Sequence, residues 1–279
     1  MRVAILGMGA IGNVVARALH GRAEVVKVDR TRAPLRDGEA TVDAAILTTK
    51  TPGTVWAAEI AAKILAPDGV ALTIQNGLGN YETLVEHVGP ERAAVGVIYV
   101  GAQLVNGELR ATGPGKVELG RPAASKSCAR LDELGRLLRE GGMDVTVVDD
   151  AWPAVWRKVV TNAAVNPLTA LIRRTNAELL ADAPASLVAD SLAREVARVA
   201  TASGVRIGED EAVKQWRAMA ALTGANRSSM LQDVEAGRPT EIDAISGAVA
   251  REGERRGVAA PLNQAMAFLI AATSARADR

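Results

Sequence analysis

Apolar and polar positions along the first half of the chain fall into short blocks of two kinds. Arg2-Val3-Ala4-Ile5-Leu6 is an apolar run of strand length, and a helical spacing follows, with Ala10, Ile11, Val14, Val15, Ala18 and Leu19 on one face. Glu24 to Val28 reads as a second strand and Asp43 to Thr49 as a third. Thr51-Pro52 reads as an N-cap followed by proline at the first helical position, for a helix to about Leu65. A turn at Pro67-Asp68-Gly69 leads to a strand over Val70 to Ile74, a helix over Asn80 to Val88 and a strand over Ala93 to Ile98. Short alternating pieces around Asn106-Gly107 and Gly113-Pro114-Gly115, ending at Lys116 to Leu119, carry hairpin chemistry. A helix near Ser127 to Arg139 and a strand over Val145 to Val148 close this region.

After Asp149-Asp150 the strand pattern stops. From Ala151 onward the periodicity is helical, with turns at Gly204, Gly224, Gly237-Arg238-Pro239 and Gly257 to Pro261. Leu187, Leu192, Val196 and Val199 predict one long amphipathic helix, and Ile242, Ile245 and Val249 another. The expected fold class is α/β. Residues 1–149 should form one domain on a mostly parallel sheet covered on both faces, and residues 150–279 a second, all-helical domain.

The junction after the first strand adds chemistry to this frame. Gly7-Met8-Gly9-Ala10-Ile11-Gly12 has the G-x-G-x-x-G spacing, with a strand before it and a helix after it. Gly7 permits the tight turn, Gly9 lets backbone approach a pyrophosphate, and Gly12 lets the helix pack closely on its strand. Free N–H groups at the helix start would face the phosphates. The first domain is therefore expected to be a Rossmann-type dinucleotide-binding domain, with a structural glycine turn as the bland alternative.

Composition narrows the function classes. At 48% hydrophobic and 23% charged residues the 279-residue chain is of globular type. Its 33 basic and 32 acidic residues leave a net charge of +1, so neither nucleic acid nor a membrane surface is an expected partner. One cysteine, Cys128, excludes an internal disulfide framework, and with two histidines it makes no zinc set, so no metal is expected. The sequence opens directly on a strand and holds no apolar run of spanning length, which predicts a cytoplasmic protein without a signal peptide.

Three segments of the helical half carry more polar residues than a helix surface requires. Lys158, Asn162 and Asn166 are spaced by four and share one helical face, an ammonium followed by two carboxamides. Asparagine is a poor helix former, so two at this spacing ask for a reason beyond a solvated stripe. In Asn226-Arg227-Ser228-Ser229, Asn226 or Ser228 could simply cap a helix. In Thr240-Glu241-Ile242-Asp243, Glu241 could be an ordinary first-turn carboxylate.

At these residues the chain resembles the ketopantoate reductase (2-dehydropantoate 2-reductase) family, within the 6-phosphogluconate-dehydrogenase-like superfamily. The likeness runs over nearly the whole length. It rests on the glycine loop, Thr49-Lys50, Gln75-Asn76-Gly77, Lys158-x3-Asn162-x3-Asn166-Pro167-Leu168-Thr169-Ala170, Ser228-Ser229-Met230-Leu231-Gln232-Asp233 and Thr240 to Asp243. The resemblance implies that Lys158 is the proton donor and Glu241 the acid completing the catalytic site. It implies that Asn162, Asn166, Asn176, Asn226 and Ser229 bind substrate, Ser229 at the carboxylate. It also implies that Lys50, Asn76 and, across an insertion, Gly101 contact the cofactor beside Gly7, Met8, Gly9, Ala10, Ile11 and Gly12. Elementary chemistry agrees: hydride addition to a ketone builds negative charge on its oxygen, which a nearby ammonium can stabilise and protonate.

The end of the second strand bears on the cofactor. Asp29 stands where an NAD enzyme bonds the ribose hydroxyls, whereas Arg30, with Arg32, could bind a 2′-phosphate. The family resemblance tips the expectation to NADP(H), with NAD(H) kept open by Asp29. The expected activity is NAD(P)H-dependent reduction of 2-dehydropantoate to (R)-pantoate, in pantothenate and coenzyme A synthesis, by a monomer or homodimer. Alternatives are a reductase of another small 2-oxo acid on the same scaffold, and a dinucleotide-binding regulator without turnover.

Overall fold

The computed structural model describes residues 1–29, 41–105, 107–121 and 128–274. The chain divides into two compact units, Met1–Gln75 with Gly79–Trp152, and Asn76–Leu78 with Pro153–Arg279. The tripeptide Asn76–Leu78 thus belongs with the helical half although it sits among strands in the sequence. Arg30 and Arg32, proposed for a 2′-phosphate, lie outside the described residues.

The first unit carries strands β1 (Arg2–Leu6), β2 (Glu24–Val28), β3 (Val42–Leu47), β4 (Leu65–Thr73), β5 (Ala93–Val105), β6 (Glu108–Gly120) and β7 (Asp144–Val148). They form one sheet in the order β2-β1-β3-β4-β5-β6-β7, parallel except for the antiparallel hairpin β5–β6. Its helices are α1 (Ala10–Leu19), α2 (Thr54–Ile64), α3 (Asn80–Val88) and α4 (Ala129–Glu140). The two-residue period of a strand sends neighbours to opposite faces. Val3, Ile5, Ala44, Ile46 and Leu72 pack with Leu19 of α1 and Leu134 of α4, while Ala4, Leu6, Ala45, Leu47 and Ala71 pack with Ala61 of α2 and Leu84 of α3. Both faces are covered, as the unbroken apolar runs require.

Local departures from the sequence expectation have physical causes. Thr51 is not an N-cap: Lys50 precedes a 3₁₀ turn, Thr51–Gly53, closed by the Gly53 N–H donating to the Lys50 carbonyl at 2.8 Å, and α2 starts only at Thr54. The strand expected from Val70 begins at Leu65, so Pro-Asp-Gly at 67–69 is not a separate turn ahead of it. It makes an irregularity inside β4, across which the pairing jumps from Val42↔Leu65 to Ala44↔Val70.

The second unit contains α5 (Trp152–Ile172, from Pro153 on), α6 (Asn176–Ala181), α7 (Ala183–Ala202), α8 (Glu209–Leu222) and α9 (Ser229–Glu235). A π-turn over Asp243–Gly247 follows, then α10 (Ala248–Arg256) and α11 (Pro261–Ser274). Leu192, Val196 and Val199 of α7 are fully buried, but Leu187 is 65% exposed. At about 100° per residue it sits roughly 140° around the helix from Leu192, off the buried stripe. Two acids, half-buried Asp190 and buried Glu195, tie the helices together. Asp190 accepts from the Trp216 indole at 2.9 Å and from two Arg217 nitrogens at 2.9 and 2.7 Å. Glu195 accepts from the backbone N–H groups of Leu262 and Asn263 at 3.0 and 2.9 Å, at the start of α11 where the helix dipole favours a carboxylate. Among the described residues no helix is long and apolar enough to cross a membrane, and no group of three His, Cys, Asp or Glu could hold a metal.

Candidate active site

In the first unit, the glycine loop leaves β1 at Gly7. Gly7 has φ +108, and a Cβ there would stand 2.7 Å from the Thr49 backbone nitrogen. A Cβ on Gly12 would stand 2.1 Å from the Gly7 carbonyl oxygen, so strand and helix meet this closely only with glycine at both positions. Gly9 differs: a Cβ there would meet nothing within 4 Å, so the protein's own packing does not require glycine. The space over Gly9 is open, and Gly9 heads α1 without a capping side chain, so the first N–H groups of the helix face an anion site of the kind a pyrophosphate takes. The residues present fit a dinucleotide.

Side chains hold this loop in shape. Asn13 Nδ2 donates to the carbonyls of Met8 and Gly9 at 2.9 and 3.0 Å, and the Thr48 hydroxyl donates to that of Gly7 at 2.6 Å. Gln75 Nε2 donates to the Thr49 carbonyl at 2.9 Å and to Thr54 Oγ1 at 2.8 Å. Sequence reasoning missed Asn13 and Thr48. The signal for Asn13 was its place one turn after Gly9, within reach of the loop carbonyls. Asp29 directly follows Val28, whose carbonyl accepts from the Gly7 N–H at 2.9 Å, so it stands beside the loop. Lys50 is exposed ahead of the 3₁₀ turn, and Gly101 lies on β5 opposite Thr112, past a register shift.

In the second unit, α5 presents Lys158, Asn162 and Asn166 at successive turns, with Asn166 buried and the other two half-buried. Burial lowers the Lys158 pKa from the ordinary lysine value to about 8, and the negative charge of Glu241 pulls in the opposite direction. Glu241 is itself buried and accepts from Asn76 Nδ2 at 2.8 Å. That bond ties Asn76–Leu78 to the helices, and Glu241 is no ordinary first-turn carboxylate: it is buried and lies ahead of the cap of the π-turn.

Backbone contacts place the remaining predicted residues. The Asn176 N–H donates to the Asn226 carbonyl at 3.0 Å, and buried Asn176 donates from Nδ2 to Thr223 Oγ1 at 2.8 Å, so Asn176 and Asn226 meet. Ser228, not Asn226, caps α9: its Oγ accepts from the Leu231 N–H at 3.1 Å. The Thr169 hydroxyl of α5 donates to that same oxygen at 2.7 Å, which fixes the start of α9 against α5. Ser229 is the next residue and is exposed. The second unit thus offers an ammonium of tuned basicity, a buried carboxylate, carboxamides and an exposed hydroxyl. These are the groups needed to protonate a developing alkoxide and orient an acid.

Comparison with known proteins identifies the family. The family profile described as Ketopantoate reductase PanE/ApbA matches residues 32–124, and its C-terminal counterpart matches residues 150–274. The 2-dehydropantoate 2-reductase of Halobacterium salinarum is 31% identical, over 97% of this chain and 98% of its own. The crystal structure of 2-dehydropantoate 2-reductase from Geobacter metallireducens has a TM-score of 0.86 and 28% identity, covering 97% of this chain and 99% of that one. A D-mandelate dehydrogenase solved in complex with NADH has a TM-score of 0.89 and 26% identity, covering 99% of each chain. The fold, with its N-terminal Rossmann-like unit and helical C-terminal unit, and the matches along both halves establish that this chain belongs to the ketopantoate reductase family of oxidoreductases.

Proposed function

We propose that the protein reduces 2-dehydropantoate to (R)-pantoate with a nicotinamide dinucleotide, NADP(H) ahead of NAD(H), and that Lys158 is the proton donor. The observation that carries the reading is the Lys158–Glu241–Asn76 arrangement: a lysine with pKa near 8, a buried carboxylate acting on it, and an amide holding that carboxylate. When bound, a reduced nicotinamide would supply the hydride for the keto carbon. Lys158 stabilises the negative charge that then grows on the keto oxygen and delivers its proton there, giving the alcohol. A pKa near 8 keeps much of the lysine protonated at neutral pH while making it a better acid than an ordinary lysine. Glu241 prevents burial from lowering that pKa further.

Asn162 and Asn166 orient the substrate's polar groups without competing for the proton, and Ser229 holds the substrate carboxylate, with Asn176 and Asn226 beside it. The backbone N–H groups from Met8 to Gly12 take the pyrophosphate. Lys50, Asn76 and Gly101 would add contacts along a bound cofactor, with Asp29 for the adenosine ribose hydroxyls and Arg30 for a 2′-phosphate.

A second reading, a reductase of another 2-oxo acid, is favoured by the likeness to D-mandelate dehydrogenase. The test is cofactor oxidation with a panel of 2-oxo acids, each run with NADPH and with NADH. The proposal expects the highest kcat/KM for 2-dehydropantoate with NADPH. Preference for an aromatic 2-oxo acid would favour the second reading, and no oxidation with any acid would remove both.

A further inference from the structure

The Gly77–Leu78 segment touches the π-turn at Ala244. The Leu78 N–H donates to the Ala244 carbonyl at 2.8 Å. Gly77 has φ +84, and a Cβ there would stand 2.3 Å from the Ala244 carbonyl oxygen, 2.7 Å from its carbon and 2.9 Å from its Cβ. Two requirements therefore converge on Gly77: a left-handed backbone, and no side chain where the π-turn presses against it.

The same turn carries Glu241. The N–H groups of Ala244 and Ile245 both donate to the Glu241 carbonyl at 3.1 Å, and the Gly247 N–H donates to the Ile242 carbonyl at 3.0 Å, the five-residue closure of a π-turn. One residue before Gly77, Asn76 donates to Glu241 Oε2 at 2.8 Å. Glu241 is thus fixed twice, through its carboxylate by Asn76 and through its backbone by Ala244, and Gly77 stands next to the first anchor and against the second.

We infer that Gly77 is a positioning residue for the Lys158–Glu241 pair, and that its close contact with Ala244 holds the Glu241 carboxylate where it supports the charge on Lys158. The inference rests on the proposed role of Lys158 as proton donor. A side chain at residue 77 drives the segment and the π-turn apart by about an ångström, the gap between the 2.3 Å approach and ordinary contact. Glu241 then shifts away from Lys158. The charge of Glu241 raises the pKa of that lysine, so Lys158 loses an influence that opposes its burial. The affected quantity is the acidity of the donor.

The test compares Gly77→Ala with Gly79→Ala. Gly79 also has positive φ, +90, but a Cβ there would meet nothing within 4 Å, so it shares the backbone strain without the contact. Ala244→Val presses on the same contact from the other side without backbone strain, and it carries the test if Gly77→Ala does not fold. For each folded variant, the Lys158 ammonium is titrated by NMR, and kcat for 2-dehydropantoate is followed against pH. Gly77→Ala and Ala244→Val are expected to lower the Lys158 pKa by about one unit, roughly a fivefold loss of protonated donor at pH 8, while Gly79→Ala titrates like the wild type. A wild-type titration in the folded variants with the contact altered would overturn the inference. So would an equal shift in Gly79→Ala. A shifted titration in a protein that oxidises no cofactor with any 2-oxo acid would keep the positioning role and remove only the proposed reaction.

Discussion

Asn76 Nδ2 donates to Glu241 Oε2 at 2.8 Å, joining residues 165 positions apart in the chain. The bond steadies a buried carboxylate whose charge raises the pKa of Lys158 against the effect of burial. Glu241→Gln keeps the size of the side chain and removes the charge. The Lys158 pKa should then fall below about 8, so that turnover drops more at pH 8 than at pH 6.5. An alkaline limb unchanged in Glu241→Gln would mean that Glu241 does not act through the lysine's charge.

Lys158 also leaves a mark on stability. Its folded pKa is lowered to about 8 from the ordinary value of 10.5, so between these pH values the unfolded chain holds a proton that the folded chain has released. Where the unfolded state binds more protons, stability rises with pH. The cost of the buried charge is therefore fully present below about pH 8 and is relieved as pH climbs, by about 3 kcal/mol at most. Denaturant melts from pH 7.5 to 9.5 should show this upward contribution in the wild type and lack it in Lys158→Met. Parallel slopes in the two proteins would contradict it.

Glu195 tests the helical unit apart from the chemistry. It accepts from the N–H groups of Leu262 and Asn263 and, at 2.9 Å, from the Asn263 side chain. Glu195→Ala leaves these buried donors without their acceptor, which should cost about 3 kcal/mol and lower Tm by roughly 5–10 °C. Glu195→Gln, which keeps an acceptor oxygen, should lose less. A Tm within about a degree of wild type in Glu195→Ala would show that water replaces the carboxylate without penalty.

Ser229 is exposed at the head of α9, and the cap is supplied by Ser228, so Ser229→Ala should fold normally. Losing one hydrogen bond to a carboxylate costs about 1.4 kcal/mol, or roughly tenfold, and should appear as a raised KM for the keto acid with little change in kcat. A change confined to cofactor affinity would place Ser229 outside the substrate site.

Much of the fold was legible because the buried positions repeat. Val3/Ile5 and Ala4/Leu6 alternate between the two faces of the sheet, and the glycine spacing marks the one place where strand and helix must nearly touch. What stayed hidden depends on contacts between distant segments. Nothing in Ile242, Ile245 and Val249 distinguishes a π-turn from an α-helix, because the apolar spacing suits both. The reading of Ser228 as a cap proved right and that of Glu241 as a first-turn carboxylate did not, since its burial and its bond from Asn76 depend on residues distant in the chain. Leu187 shows the limit of counting apolar residues without their angle around the helix.

The central claim is that Lys158 delivers the proton to the keto oxygen. The most direct measurement is kcat for 2-dehydropantoate against pH, in the wild type and in Lys158→Ala with cofactor binding checked separately. The account predicts a wild-type rate that falls above a pKa near 8, and a loss of roughly two to four orders of magnitude in Lys158→Ala with cofactor affinity kept. A wild-type rate that stays level to pH 10, or near-normal turnover without the lysine, would contradict it.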